Sequence, residues 1–271
     1  MTTMEKVAAA KPVAPWLGGK RALSAKIIER IESVEHSTYA EPFVGMGGVF
    51  LRRTWKPRLE VANDLNGEIT NLFRILQQHY PQLLDVMRFQ IASRREFERL
   101  RSSDPKTLTD LQRAARFLYL QRLGFGGKLN GVFGVSVDGP ARFSLSRLEP
   151  ILEAAHERLE RVVFENLDWA ELVQRYDGAN TMFYLDPPYW GGEHDYGRGM
   201  FDQSQFGKMA SQLREIEGKF ILSINDKPEV RRIFTGFHIE EVSLKYTVGA
   251  QGSVDAAELI ISNFEPKLGL F

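Results

Sequence analysis

The 271-residue chain contains no cysteine, which excludes disulfides, thiolate metal sites and thiol nucleophiles. Its five histidines show no paired spacing of ligand type, so no metal centre is expected. It carries no excess charge, 35 Lys/Arg standing against 35 Asp/Glu, and that balance taken alone argues against a polyanionic partner. No apolar run approaches the length of a bilayer span, and the stretch through Pro15 lacks the apolar segment of a signal peptide. A cytoplasmic protein without membrane contact is expected. Internal repeats and low-complexity linkers are absent as well. What is present, 43% hydrophobic residues over this length, suffices for one large core, or for one domain with a sizeable insertion.

The charge is neutral in sum but not in distribution. Between Arg94 and Arg147 eleven Lys/Arg stand against five Asp/Glu, so the rest of the chain is acidic. Such a run is often only a solvated face whose arginines pair along helices, here with Glu96, Glu98 and Asp110. Its position matters more than its size, because it lies between the two segments that carry chemistry.

The later of those segments is Asp186-Pro187-Pro188-Tyr189, which follows the apolar run Met182-Phe183-Tyr184-Leu185 and so sits where a buried strand leaves a sheet. Two consecutive prolines fix φ and remove two donors, so neither strand nor helix continues there. A carboxylate beside an outward carbonyl suits chemistry on an exocyclic amine, whose lone pair becomes available when its hydrogens are accepted. Asp186 and the Pro187 carbonyl fit those roles, and Tyr189 offers a ring for stacking. An Asp-Pro-Pro turn is also simply a good turn. The earlier segment, Tyr39-Ala40-Glu41-Pro42-Phe43-Val44-Gly45-Met46-Gly47-Gly48-Val49, reads as a strand end, a glycine-rich turn and a helix start. Leu59 to Asp64 then reads as a second strand ending in an acid, placed to bind ribose hydroxyls in a doubly wound sheet. A nucleoside cofactor is implied, and the Gly-x-Gly-Gly spacing argues against pyrophosphate.

Trp16-Leu17-Gly18-Gly19-Lys20, Glu41 to Gly47, Asn63-Asp64 and Asp186 to Tyr189, in this order, resemble the Dam-like (D12 class, alpha group) DNA adenine-N6 methyltransferases, phage and prophage members most of all. The resemblance extends to Arg116 to Phe125, similar to the helix leading into that family's target-recognition region, and to Leu222 to Asp226. It implies S-adenosylmethionine as cofactor, double-stranded DNA as partner, a monomer, and methyl transfer to a flipped-out adenine. It implies a cofactor pocket of Trp16, Gly19, Lys20, Glu41, Phe43, Gly45, Gly47, Asp64, Asp168 and Asp186, and a catalytic tetrad of Asp186, Pro187, Pro188 and Tyr189. Lys20 would pair with the cofactor carboxylate or order its loop. Phe43 is also a plausible core residue, and Asp168 a plausible cap for a helix starting at Trp169. Arg122, Lys128, Asn130 and Arg142 are the candidates for DNA contact.

The coarse elements agree with an α/β, doubly wound, Rossmann-like methyltransferase fold. Helices are expected over Ala22 to Ile31, Val49 to Thr54, Glu68 to Gln78 and Leu148 to Leu159, and strands over Val162 to Asn166, Met182 to Leu185, Phe220 to Asn225, His238 to Thr247 and Leu259 to Phe264. Residues 12–81 and 140–271 form the expected catalytic domain, and 82–139 a helical target-recognition insertion ending in an exposed hairpin over Gly124 to Pro140. Gly191-Gly192 and Gly197 to Gly199 flank a polar loop suited to closing over a base.

Departures from the family pattern fall on DNA recognition. Pro15 stands where GATC-methylating relatives usually carry Lys, the Lys128-Leu129-Asn130-Gly131 turn is short, and Gly249 to Asp255 has no Lys or Arg. Relaxed or non-GATC specificity is the expectation. RNA adenine or DNA N4-cytosine methylation, and a catalytically silent DNA-binding relative, are the alternatives; Asp at the head of the tetrad favours adenine.

Overall fold

The computed structural model describes residues 4–128, 131–134, 143–193, 199–247 and 253–266. In chain order the elements are β1 (Glu5–Lys6), α1 (Ser24–Glu32), β2 (Thr38–Glu41), β3 (Trp55–Lys56), β4 (Leu59–Asn63), α2 (Gly67–Gln78), α3 (Tyr80–Met87), α4 (Arg94–Ser102), α5 (Asp110–Leu123), α6 (Leu145–Arg158), β5 (Val163–Glu165), α7 (Trp169–Tyr176), β6 (Thr181–Leu185), α8 (Ser204–Glu215), β7 (Lys219–Asn225), α9 (Pro228–Ile233), β8 (His238–Thr247) and β9 (Ser253–Ser262). Seven strands form one sheet in the order β5-β4-β2-β6-β7-β9-β8. Five pair parallel with one another, and β9 runs antiparallel between β7 and β8, so β8 points the same way as the five. The chain starts the sheet at β2, builds outward through β4 and β5, then returns to β6 on the other side of β2. That reversal makes the β2/β6 boundary the switch point, where a doubly wound sheet opens a crevice beyond its carboxyl ends.

Side-chain alternation explains why Met182 to Leu185 is apolar throughout. Met182 and Tyr184 join the hydrophobic cluster under α1, α2, α5 and α6, while Phe183 and Leu185 join the cluster under α7, α8 and α9. A parallel strand covered on both faces needs apolar residues at every position. The helices α3, α4 and α5 belong to the first cluster too, since Leu83, Met87, Phe97 and Leu118 pack in one continuous core with Leu72 and Leu76 of α2. Helix starts are set by local chemistry: Asn66 accepts from the Glu68 N–H, Ser93 from the Glu96 N–H, and Thr109 with Gln112 closes a capping box on α5.

The helix expected over Val49 to Thr54 does not form. A single 3-10 turn spans Phe50–Arg52, and Arg53 is extended at φ −66° and ψ 139°. Two pulls end the helix there: the fully buried Arg53 guanidinium reaches Glu60, and Trp55–Lys56 pairs antiparallel with Glu5–Lys6. The hairpin expected from Gly124 is described only in part. Gly124 and Phe133 form one antiparallel bridge and the Phe125 N–H donates to the Val132 carbonyl, while 135–140 lie outside the described residues.

Candidate active site

Strand period places the polar residues before any packing is considered. Residues two apart share a face of the sheet, so Glu41 follows Tyr39, Asp186 follows Tyr184, Asn225 and Ser223 follow Ile221, and Glu258 precedes Ile260. Tyr39, Tyr184, Ile221 and Ile260 all lie in the cluster on the α1 face. Four neighbouring strands therefore turn polar groups toward the same side near their shared end. Asn225 and Glu258 are direct cross-strand partners.

Lys20, in the turn before α1, closes over this row. Its ammonium lies 2.9 Å from Asp186 Oδ1 and donates to the Tyr189 hydroxyl at 2.6 Å, with Glu258 Oε2 at 3.9 Å. The Tyr189 hydroxyl donates in turn to Glu258 Oε1 at 2.6 Å. Ser223 Oγ donates to Asp186 Oδ1 at 3.2 Å and exchanges a hydrogen bond with the Tyr184 hydroxyl at 2.8 Å. Asn225 brackets the next peptide: its Oδ1 accepts from the Trp190 N–H at 2.9 Å and its Nδ2 donates to the Trp190 carbonyl at 3.0 Å. The tetrad is thus held from β7 and β9 as well as by its own prolines.

A cavity of about 680 Å³ opens beside this cluster, a size within the usual range for small-ligand sites. Glu41, Asp64 and Asp186 line it, as do Lys20, Phe43, Leu65, Trp169 and Phe201. Burial pushes the Glu41 carboxyl up to about 8, although the Tyr39 hydroxyl donates to it and Arg53 lies near. Burial likewise pushes Asp64 to about 6 against hydrogen bonds from the Asn66 and Gly45 N–H groups. Asp186 is also raised to about 6 by burial, with Lys20 pulling the other way. In all three carboxyl groups burial is the leading cause of the rise, so the acids sit where water is largely excluded. Gly45 adopts φ +50°, and a Cβ there would lie 2.9 Å from Trp16 Nε1, so the turn requires glycine to pass under the tryptophan.

The expected residues distribute unevenly. Trp16, Gly19, Lys20, Glu41, Phe43, Gly45, Asp64, Asp186 and Pro188 line the cavity. Gly47 does not; its left-handed backbone lets Leu51 close against the turn, where a Cβ would come within 2.8 Å of Leu51 Cγ. Asp168 is exposed and caps α7 by accepting from the Ala170 N–H at 2.8 Å, while its neighbour Trp169 lines the cavity. Pro187 is buried beside the site, and Tyr189 is turned toward Lys20 and Glu258. Arg122 also lines the cavity and is half-buried, donating to the Val13 carbonyl, while Lys128 is exposed. Asn130 and Arg142 lie outside the described residues, as does the loop over 194–198. Gln121, which donates to both the Pro15 and Gly127 carbonyls, joins the α5 end to the N-terminal motif. Among the described residues no group of three His, Asp or Glu is placed to hold a metal, and no helix is long and apolar enough to cross a membrane.

Ser223, Asn225 and Glu258 were not foreseen as site residues. The available signal was a polar residue in an otherwise apolar strand, at the parity that faces the α1 side.

The strand order, the switch-point cavity and the acid row beyond β2, β4 and β6 define a Rossmann-like α/β protein of the methyltransferase type. Residues 16–248 match the family described as D12 class N6 adenine-specific DNA methyltransferase, and the chain belongs to that family. It is 24% identical to the type II methyltransferase M.CviBI of Paramecium bursaria Chlorella virus NC1A, over 94% of this chain and 100% of that protein. Identity is 26% to the type II methyltransferase M1.LlaDCHI of Lactococcus lactis subsp. cremoris, over 94% and 95%. It is also 26% to the DNA N-6-adenine-methyltransferase of Escherichia phage P1, over 88% of this chain and 33% of that protein.

Proposed function

We propose that the cavity binds S-adenosylmethionine and that Asp186 receives the N6 amine of an adenine turned out of double-stranded DNA. The observation that carries the reading is the row of carboxyl groups, Glu41, Asp64 and Asp186, that lines the cavity beside an apolar wall. The carboxyl groups of Glu41 and Asp64 are placed to accept from the ammonium and hydroxyl donors of S-adenosylmethionine, and its adenine ring suits Leu65, Phe43, Phe201 and Trp169. When bound, the cofactor supplies an electrophilic methyl group. Asp64 keeps lone pairs free after accepting from Gly45 and Asn66, enough for ribose hydroxyls. Asp186 and the Pro187 carbonyl accept the two N6 hydrogens, orient the nitrogen and stabilise the charge that develops on it. Tyr189 borders the base. Stacking inside a duplex blocks the axis along which N6 must react, so the base leaves the helix before transfer.

DNA contact falls to the basic side of the cavity. Arg21, Arg52 and Arg122 line it, and exposed Lys128 lies on the loop that Gly127 presses against Trp16. Phosphate neutralisation by such residues gives affinity without sequence reading. With Pro15 at the first reading position, sequence specificity is relaxed or differs from GATC. The test is transfer of a tritiated methyl group to DNA, RNA and protein in parallel, followed by nucleoside identification and mapping of modified sites. N6-methyladenine in DNA is the expected product; label appearing only in RNA, or as N4-methylcytosine, overturns the reading. Modification confined to GATC refutes the specificity proposal alone.

A further inference from the structure

We propose that Glu258 is a positioning residue for methyl transfer: it anchors the Tyr189 hydroxyl and is the second carboxylate onto which the Lys20 ammonium moves when the adenine amine takes its place on Asp186. This rests on the assignment of Asp186 as amine acceptor. Lys20 sits 2.9 Å from Asp186 Oδ1, so without substrate the oxygen meant for N6 already has a cationic partner. An amine entering there competes with an ammonium whose side chain is 2% exposed. Glu258 provides the alternative. Its side chain is 1% exposed, and Oε2 lies 3.9 Å from the ammonium, about 1 Å beyond direct contact. The Tyr189 hydroxyl spans the two, accepting from Lys20 and donating to Glu258 Oε1, each at 2.6 Å. Lys20 can tilt toward Glu258 without releasing Tyr189.

A buried acid in a strand end also needs a reason to be there. A Gln of the same shape accepts the Tyr189 bond equally well, so anchoring alone does not require charge. Two carboxylates sharing one ammonium keep Lys20 compensated in both positions, whereas a single carboxylate traps it. Among the described residues, the groups facing Lys20 include Asp186 and Tyr189 from the segment after β6, Glu258 from β9, and, through Asp186, Ser223 from β7 with Tyr184 behind it.

The test compares single-turnover methylation of an adenine-containing duplex with calorimetric S-adenosylmethionine binding. Glu258→Gln is expected to lower the transfer rate constant about tenfold or more, leave cofactor affinity within about twofold, and move the acid limb of the rate profile, with Glu258→Asp recovering part of the rate. In a Lys20→Met background, Glu258→Gln should add little, because the competitor for Asp186 is gone. Tyr189→Phe, which keeps the ring and cuts the bridge, serves if the Gln protein does not fold, and should slow transfer without weakening cofactor binding. A Glu258→Gln or Tyr189→Phe protein that transfers at the wild-type rate overturns the proposal, as does full additivity with Lys20→Met. Asp186→Ala in the same assay separates the two readings: if it stays active the assignment of Asp186 fails, and if it is inactive while Glu258→Gln is unaffected only the present inference fails.

Discussion

The two ends of the sheet both bury charge, and they treat it in opposite ways. Below the strands, Glu60 is fully buried and accepts from Arg53 Nη1 at 2.9 Å and from Arg158 Nη1 and Nη2, each at 2.7 Å. The Arg53 guanidinium also lies 3.6 Å from the Tyr39 ring centroid. His36 beside it is held down to about 4, chiefly by burial, and so stays neutral. Two guanidiniums contact one carboxylate, with the Lys56 ammonium 3.9 Å from it, so the anion is fully compensated. Beyond the strands, Glu41, Asp64 and Asp186 face a cavity with carboxyl groups raised by burial, and Lys20 pairs with Asp186. Tyr39 joins the two ends, ring on Arg53 and hydroxyl on Glu41. At one end a buried carboxylate is paired and braces the fold; at the other, carboxyl groups line a cavity.

The sharpest way to break the comparison is to damage each end and read both stability and transfer. Glu60→Ala should cost on the order of 3–5 kcal/mol of stability, because two guanidiniums are left buried without their partner. Transfer per folded molecule should be unchanged. Denaturant unfolding that shows a loss below about 1 kcal/mol would mean the brace is dispensable. Asp186→Ala should act on the chemistry instead, cutting transfer by at least about a hundredfold, about 2.7 kcal/mol, with a smaller stability loss than Glu60→Ala because Glu258 and Tyr189 still face Lys20. Retention of a tenth of the turnover would remove Asp186 as amine acceptor.

Asp64→Ala should weaken S-adenosylmethionine binding by about 1.5–3 kcal/mol through loss of charge-assisted bonds, with DNA affinity unaltered; equal calorimetric affinities would take Asp64 out of the site. The smallest effect is on pH. With Asp186 raised to about 6, acid removes the acceptor, so the single-turnover rate should fall about tenfold per unit below that point and level off above it. Saturating cofactor should move the limb to lower pH, since added positive charge favours the carboxylate. A rate that stays flat down to pH 5 in the absence of other limiting steps contradicts a titrating Asp186.

Much of the architecture was legible in the chain. The β6 run was readable because two covered faces demand apolar residues at every position, and the expected β7, β8 and α2 fall within a residue or two of the observed spans. Val49 to Thr54 misled because its local pattern is helical, and only Arg53's partner across the sheet, Glu60, reveals why it is not. Gly47 and Asp168 sit in motifs that do approach the cavity, yet backbone packing against Leu51 and an N-cap claim them. Lys20 was read as a loop or cofactor residue, and its pairing with Asp186, 166 positions later in the chain, has no local signature.

The sequence by itself determined the doubly wound fold, the tetrad at a strand end and the acid at the end of the neighbouring strand, because strand period, proline stiffness and glycine turns act over a few residues. Tertiary structure alone decided which acids are paired and which line the cavity, and that Glu258 meets Tyr189 and Lys20. Those outcomes depend on strand order and register: an antiparallel β9 lying beside β7 brings Glu258 opposite Asn225, and a buried charge takes its character from partners that only the folded sheet supplies.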